Sequence, residues 1–161
     1  MSSNAELIKI AQGVYENICA MLDSEDYRYA KDDDRMRINL TLQGEGIPIE
    51  IYFNVDSERQ FVQVLSPLPF TIPENKRVDL AVATSVANDH FANGSFDFNF
   101  SRGKLVFRLT SSYIDSILGR ELFYYMLRIT ITTVDRYSDK FMMLGKGLMT
   151  LDQFMEADAN K

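Results

Sequence analysis

Leu7, Ile10, Ala11, Val14, Ile18, Met21 and Leu22 recur every three to four positions, the period of an amphipathic helix. Ser3-Asn4-Ala5-Glu6 ahead of them has the spacing of a capping box. The period then falls to two. Met36, Ile38, Leu40 and Leu42 share one side of a strand whose other side carries Arg37, Asn39 and Thr41. Ile47, Ile49, Ile51, Phe53 and Val55 make the next apolar side after the turn Gln43-Gly44-Glu45-Gly46, and Phe61 to Leu65 a third strand after Asp56-Ser57-Glu58-Arg59. Short turns of this kind join antiparallel neighbours. Tyr27 and Tyr29 also alternate, so a short edge strand could begin there, but the element order does not count it.

Prolines 67 and 69 lack the N–H that a central strand donates, which ends the third strand by Leu65. Thr71-Ile72-Pro73-Glu74 reads as a second capping box and opens a helix, rich in small residues, to about Phe91. Phe96, Phe98 and Phe100 then alternate in phase with Leu105, Phe107 and Leu109 across a tight Arg102-Gly103 turn, which predicts a hairpin with all three phenylalanines in the core. From Leu118 to Met143 the run Ile129 to Val134 is wholly β-branched. A helical wheel nevertheless gathers Phe123, Met126, Leu127, Thr130, Val134, Tyr137 and Phe141 on one side, so a helix is expected. Gly145 suits the residue after its end, and Thr150-Leu151-Asp152-Gln153 caps a short tail helix.

The order is therefore α-β-β-β-α-β-β-α plus a tail. The expected class is α+β, with a five-stranded antiparallel sheet, in one domain over residues 1–161. Its core spans about 5–143, and a methionine-rich tail follows at 146–161.

Charge and special residues narrow the chemistry. The net charge is −6, divided as −8 over residues 1–100 and +2 over the remainder, which disfavours nucleic acid as a partner. No apolar run approaches the ~20 residues of a membrane span, and the first residues lack a basic then apolar leader, so a cytoplasmic chain with no membrane contact is expected. Cys19 is alone, which excludes an internal disulfide and fits a reducing compartment; its place on the apolar side of the first helix marks it as a small core residue. His90 is also alone, and no nucleophile motif accompanies it, so a structural role is expected. Asp32-Asp33-Asp34 are consecutive, whereas a calcium loop needs alternating oxygens and a glycine turn. Gly44-Glu45-Gly46 and Gly145-Lys146-Gly147 lack the strand–loop–helix setting of a phosphate cradle. Catalytic residues, metal and cofactor are accordingly all expected to be none.

The prolines 67, 69 and 73, Asn88, the hairpin Gly94-Ser95-Phe96-Asp97-Phe98 to Gly103-Lys104-Leu105-Val106-Phe107-Arg108, and Asp135-Arg136-Tyr137 on the last long helix together resemble the YbjN-like bacterial proteins. The element order is similar to that of the related type III secretion chaperones, over roughly residues 5–143. The resemblance implies a regulatory or chaperone-like role, a protein partner and a homodimer, and brings no catalytic residue with it.

Two surfaces are expected to carry such contacts. One is the tail, where Met142, Met143, Leu144, Leu148, Met149, Leu151, Phe154 and Met155 crowd together; methionine suits adaptable contacts, although the same residues could fold back onto their own core. The other joins an uncovered part of the sheet to Ile129 and Ile131, on opposite shoulders of the long helix. The leading expectation is a non-enzymatic protein-binding or chaperone-like regulator. A small-ligand sensor and a carboxylate-dependent hydrolase or transferase are the alternatives.

Overall fold

In the computed structural model, which describes residues 3–160, helix α1 (Asn4–Ser24) starts where the Ser3 hydroxyl accepts the Glu6 N–H. Strands β1 (Ala30–Asp32), β2 (Arg37–Leu42), β3 (Ile49–Asp56) and β4 (Phe61–Pro67) follow. A 3-10 turn (Glu74–Lys76) leads into α2 (Arg77–Asp89), and the hairpin β5 (Ser95–Asn99) and β6 (Lys104–Ser112) comes next. Helices α3 (Arg120–Gly145) and α4 (Leu151–Ala159) complete the order. The strands form one antiparallel sheet, β1-β2-β3-β4-β6-β5. Among the described residues no helix is long and apolar enough to cross a membrane.

The sheet has six strands, not the expected five. The addition, β1, is three exposed residues paired with Arg37–Asn39 of β2. Alternation in a sequence records burial of one side. Tyr27 and Tyr29 hint at an edge strand just ahead of β1, but its own residues bury neither side and leave no such record.

The third expected strand also runs further, through Pro67. Leu68 N–H donates to the Leu105 carbonyl, so by alternation the nitrogen of Pro67 points away from β6, toward β3. Pairing with β3 has already ended at Tyr52–Leu65. The proline therefore removes a donor that had no acceptor to meet.

One side of the sheet is dry. Ile38, Leu40, Ile51, Phe53, Val62, Val64, Phe96, Leu105, Phe107 and Leu109 are buried there beneath the helices. Helix α3 lies across the middle strands, α1 packs beside it against β3, and α2 lies over β5. The seven residues that define the wheel of α3, from Phe123 to Phe141, are all buried, so tertiary burial overrides the weak helix propensity of its β-branched stretch. Phe96 meets Phe107, Tyr137 and Phe141 at centroid distances of 5.2, 5.7 and 5.0 Å. Phe100 departs from expectation: β5 ends at Asn99, and the ring, carried on the following turn, is 53% exposed.

Helix ends differ in instructive ways. The Thr71 cap does not form, because Ile72 is buried and its N–H is committed to the Gly103 carbonyl at 2.8 Å; the 3-10 turn starts after Pro73. Helix α2 ends at Asp89 with His90 as its cap residue. Gly145 lies inside α3, where an added Cβ would come within 2.8 Å of Ile72. The left-handed residue is Gly147, at φ +74°. Its N–H reaches the Leu144 carbonyl and that of Leu148 reaches Met143, the two bonds of a Schellman motif. The capping box of α4 forms as expected, with Thr150 Oγ1 accepting from Gln153 N–H and Gln153 Oε1 accepting from Thr150 N–H.

Two polar locks hold the layers. Glu45 N–H, in the turn between β2 and β3, donates to Asp135 Oδ1 of α3 at 2.9 Å, and an added Cβ on Gly44 would stand only 2.5 Å from the same oxygen. Glycine is required here for the approach of a helix carboxylate. At the free edge of β5, Asn88 of α2 grips one residue from the side: its Nδ2 donates to the Phe96 carbonyl at 2.9 Å and its Oδ1 accepts the Phe96 N–H at 2.8 Å. The side chain stands in for a neighbouring strand and covers an edge that would otherwise invite one.

Candidate functional site

The other side of the sheet carries no helix. Its outward positions run from Arg37 and Asn39 on β2, through Tyr52 and Asn54 on β3, to Leu65 and Pro67 on β4 and Val106 on β6. Tyr52, Leu65, Pro67 and Val106 are half-buried and form an apolar floor across the three middle strands. A concavity of about 560 Å³ opens over this floor, walled on one side by Ala30–Asp32 of β1. A second depression, of about 580 Å³, shares Pro67 and Val106 and extends to Asp97, Phe98 and Lys104. The short strand β1 thus raises one rim and the β5–β6 hairpin the other.

Several polar groups around the floor pair with one another. Tyr52 donates to Glu50, and that bond pushes the phenol pKa up. Arg108 Nε and Asp97 Oδ2 are 2.7 Å apart, with Ser95 Oγ 3.1 Å from the other carboxylate oxygen. Gln63 Nε2 bonds Thr110 Oγ1 at 3.3 Å, and Asn39 Nδ2 the Ile51 carbonyl at 3.4 Å. The walls hold neither histidine nor cysteine, and no paired carboxylates converge on the floor. An apolar floor with a polar rim has the make-up of a contact surface.

The remaining titratable clusters lie elsewhere. His90 Nε2 is 2.9 Å from Asp158 Oδ2, and Tyr137 donates to Asp158 Oδ1 at 2.7 Å. Asp158 is 2% exposed, on the last turns of α4, and burial pushes the Tyr137 phenol up. This cluster pins the tail helix to α2 and α3. In the acidic stretch, Tyr15 donates to Asp33 at 2.8 Å and Tyr29 to Asp23 at 2.9 Å. The Tyr15 bond holds the Asp33 carboxyl below its ordinary range, with Lys31 Nζ 3.2 Å away. Cys19 is only partly buried beside these tyrosines, and burial pushes its thiol up, away from the reactive thiolate. Among the described residues no group of three or more His, Cys, Asp or Glu side chains is placed to hold a metal ion.

The residues expected to bind a partner are dispersed. Ile129 and Ile131 are half-buried shoulders of α3, packed on the core. Met142 and Met143 are half-buried near the end of α3, and Met149 and Leu151 pack against the core from the tail. Phe154 is fully buried and stacks on Phe141 at 5.5 Å. Leu148 and Met155 are the tail side chains left outside, 69% and 42% exposed. The floor residues Tyr52, Leu65, Pro67 and Val106 are absent from the expected set, yet two of them leave a trace. Phe61-Val62-Gln63-Val64-Leu65 and Leu105-Val106-Phe107 carry apolar residues at both parities, the mark of a strand with two apolar sides.

No protein-family model matches the chain, and no curated protein matches it by sequence. In fold it is similar to YbjN from E. coli, described in its crystal structure as a proposed transcription regulator. The two superpose with a TM-score of 0.55 over 90% of this chain and 91% of YbjN, at 13% identity. That likeness is one of fold.

Proposed function

We propose that this chain is a non-enzymatic regulatory module that binds another protein through the open side of its sheet. The observation that carries the reading is the apolar floor of Tyr52, Leu65, Pro67 and Val106, set among polar groups several of which pair with one another. An antiparallel sheet tolerates water on one side, so solvation alone would favour polar residues at these outward positions. Apolar ones are retained where something covers them. The fold of YbjN, with its proposed regulatory role, agrees with a module of this kind. The reading includes a homodimer, a reducing cytoplasmic setting for Cys19 and no bound cofactor, and it leaves Leu148 and Met155 as the tail side chains within reach of a partner.

Leu65→Asp and Val106→Asp place a charge on the floor while leaving the buried side of each strand intact. The expected result is loss of a stoichiometric protein partner, or of a micromolar dimer, from a chain that still melts cooperatively. An unchanged partner set and unchanged native mass in both variants would overturn the reading. The concavity also lies within the range of roughly 300–1,000 Å³ typical of small-molecule sites, which favours a ligand sensor as the second reading. A small molecule that raises the melting temperature of the parent chain, and not of Leu65→Asp, would select it.

A further inference from the structure

We propose that the groove between α2 and α3, filled here by the chain's own α4, also accepts α4 from a second copy, with Gly147 as the hinge. The groove is specific for its occupant. Phe154 enters it to stack on Phe141, and Asp158, one helical turn further along the same side, accepts from Tyr137 and lies 2.9 Å from His90 Nε2. A purely apolar seat would accept many helices. A buried carboxylate held by two partners accepts one register and one orientation.

The joint is equally defined. Helix α3 stops because Gly147 takes φ +74°, and only Leu148 and Met149 separate it from the Thr150 cap of α4. Returning the hinge from Gly147 to the extended Thr150 (φ −84°, ψ 162°) to helical backbone would join the two helices into one, continuous from Arg120 to Ala159 and about 60 Å long. Helix α4 would then leave its own groove and expose the rings beneath it. A second copy in the same state restores every lost contact, because each tail meets the same Phe141, Tyr137 and His90 in the other subunit. Exchange therefore changes only the hinge, which is why identical elements swap at low cost.

The hinge supplies the test. An added Cβ on Gly147 meets nothing nearer than 3.7 Å, so Gly147→Ala acts through backbone preference alone. Alanine disfavours the left-handed turn and favours continuous helix, and both effects act twice in a dimer, which predicts a shift toward dimer on the order of 100-fold or more. Gly147→Asn, which tolerates the left-handed backbone, should keep the parent mass distribution. All chains are full length and carry Leu65→Asp, so the outer side of the sheet contributes nothing and the two proposals fail independently. Light scattering after size exclusion, across 10-fold steps of concentration, reads the equilibrium. A dimer in Gly147→Ala that disappears on adding Phe154→Ala supports exchange. A folded Gly147→Ala chain with the parent mass distribution, or a dimer that survives Phe154→Ala, overturns it. Should the alanine chain fold poorly, deletion of Leu148 and Met149, which prevents α4 from folding back, must give the same dimer; a folded monomer overturns the proposal.

Discussion

Replacing Asn88 by alanine removes the side chain that closes the free edge of β5 and leaves a small residue well suited to helix α2. The structure sets the size of the effect. Two bonds to Phe96 are lost, at 2.9 and 2.8 Å, each with a net value of about 0.5–1.5 kcal/mol. Phe96 is 2% exposed, but truncation to alanine opens space for water at the sheet edge beside the freed N–H and carbonyl, so the full penalty of a buried orphan group is not expected. The expected loss is about 1–3 kcal/mol, which for a chain of this length is a fall in melting temperature of roughly 3–10 °C. Asn88→Asp keeps an acceptor for the Phe96 N–H but turns an oxygen toward the Phe96 carbonyl, so it should do no better than alanine. Urea denaturation with an unchanged slope gives the stability difference, and amide exchange at Phe96 locates it. An unguarded edge also invites strand pairing, so light scattering should show added mass on concentration. The explanation fails if Asn88→Ala stays within 0.5 kcal/mol of the parent chain, roughly the noise of such measurements, and the Phe96 amide keeps its protection.

Two further outcomes follow from buried geometry. Tyr113 is 1% exposed and donates to the Asp56 carbonyl at 2.7 Å; burial, with Asp56 nearby, pushes its phenol up to about 12. Because the folded value is raised above the unfolded value of about 10, its contribution is complete below pH 10 and is lost as pH rises toward 12, on the order of 2 kcal/mol. Tyr113→Phe should flatten the stability profile over that window relative to the parent, and parallel curves would contradict the assignment. At Gly103, φ is +66° and an added Cβ would run into the Ile72 carbonyl, a backbone atom that cannot move aside. Gly103→Ala should therefore cost more than the roughly 1–2 kcal/mol of left-handed strain alone, and Gly103→Asn should not rescue it. A urea midpoint equal to the parent's for either variant would refute that contact.

Legibility along the chain followed burial. Helix α3 could be read through its β-branched middle because Phe123, Thr130, Tyr137 and Phe141 keep to one side over many turns. Strands β2, β3 and β6 declared themselves by alternation, since each buries one side against the helices. Where burial was absent or came from elsewhere, the pattern was weak, and the alternation of Tyr27 and Tyr29 only hinted at an edge strand. Strand β1 is three exposed residues paired with β2, and Ile72 leaves its expected helix because the turn at Gly103, distant in sequence, claims its N–H. The candidate surface was faintest of all. Leu65 and Val106 each sit beside residues of the core, and a strand apolar on both sides looks in sequence like one more buried segment.

The sequence by itself determined the α+β class, the antiparallel hairpins, the long amphipathic helix and the cap of the tail helix. These rest on period and on contacts within a few residues, which local chemistry dictates. Tertiary structure alone decided which strands became neighbours, that Pro67 could remain in a central strand, and that Phe154 stacks on Phe141 while Asp158 meets Tyr137 and His90. Each of those depends on groups brought together across long stretches of chain, and no local period encodes which distant partner will arrive.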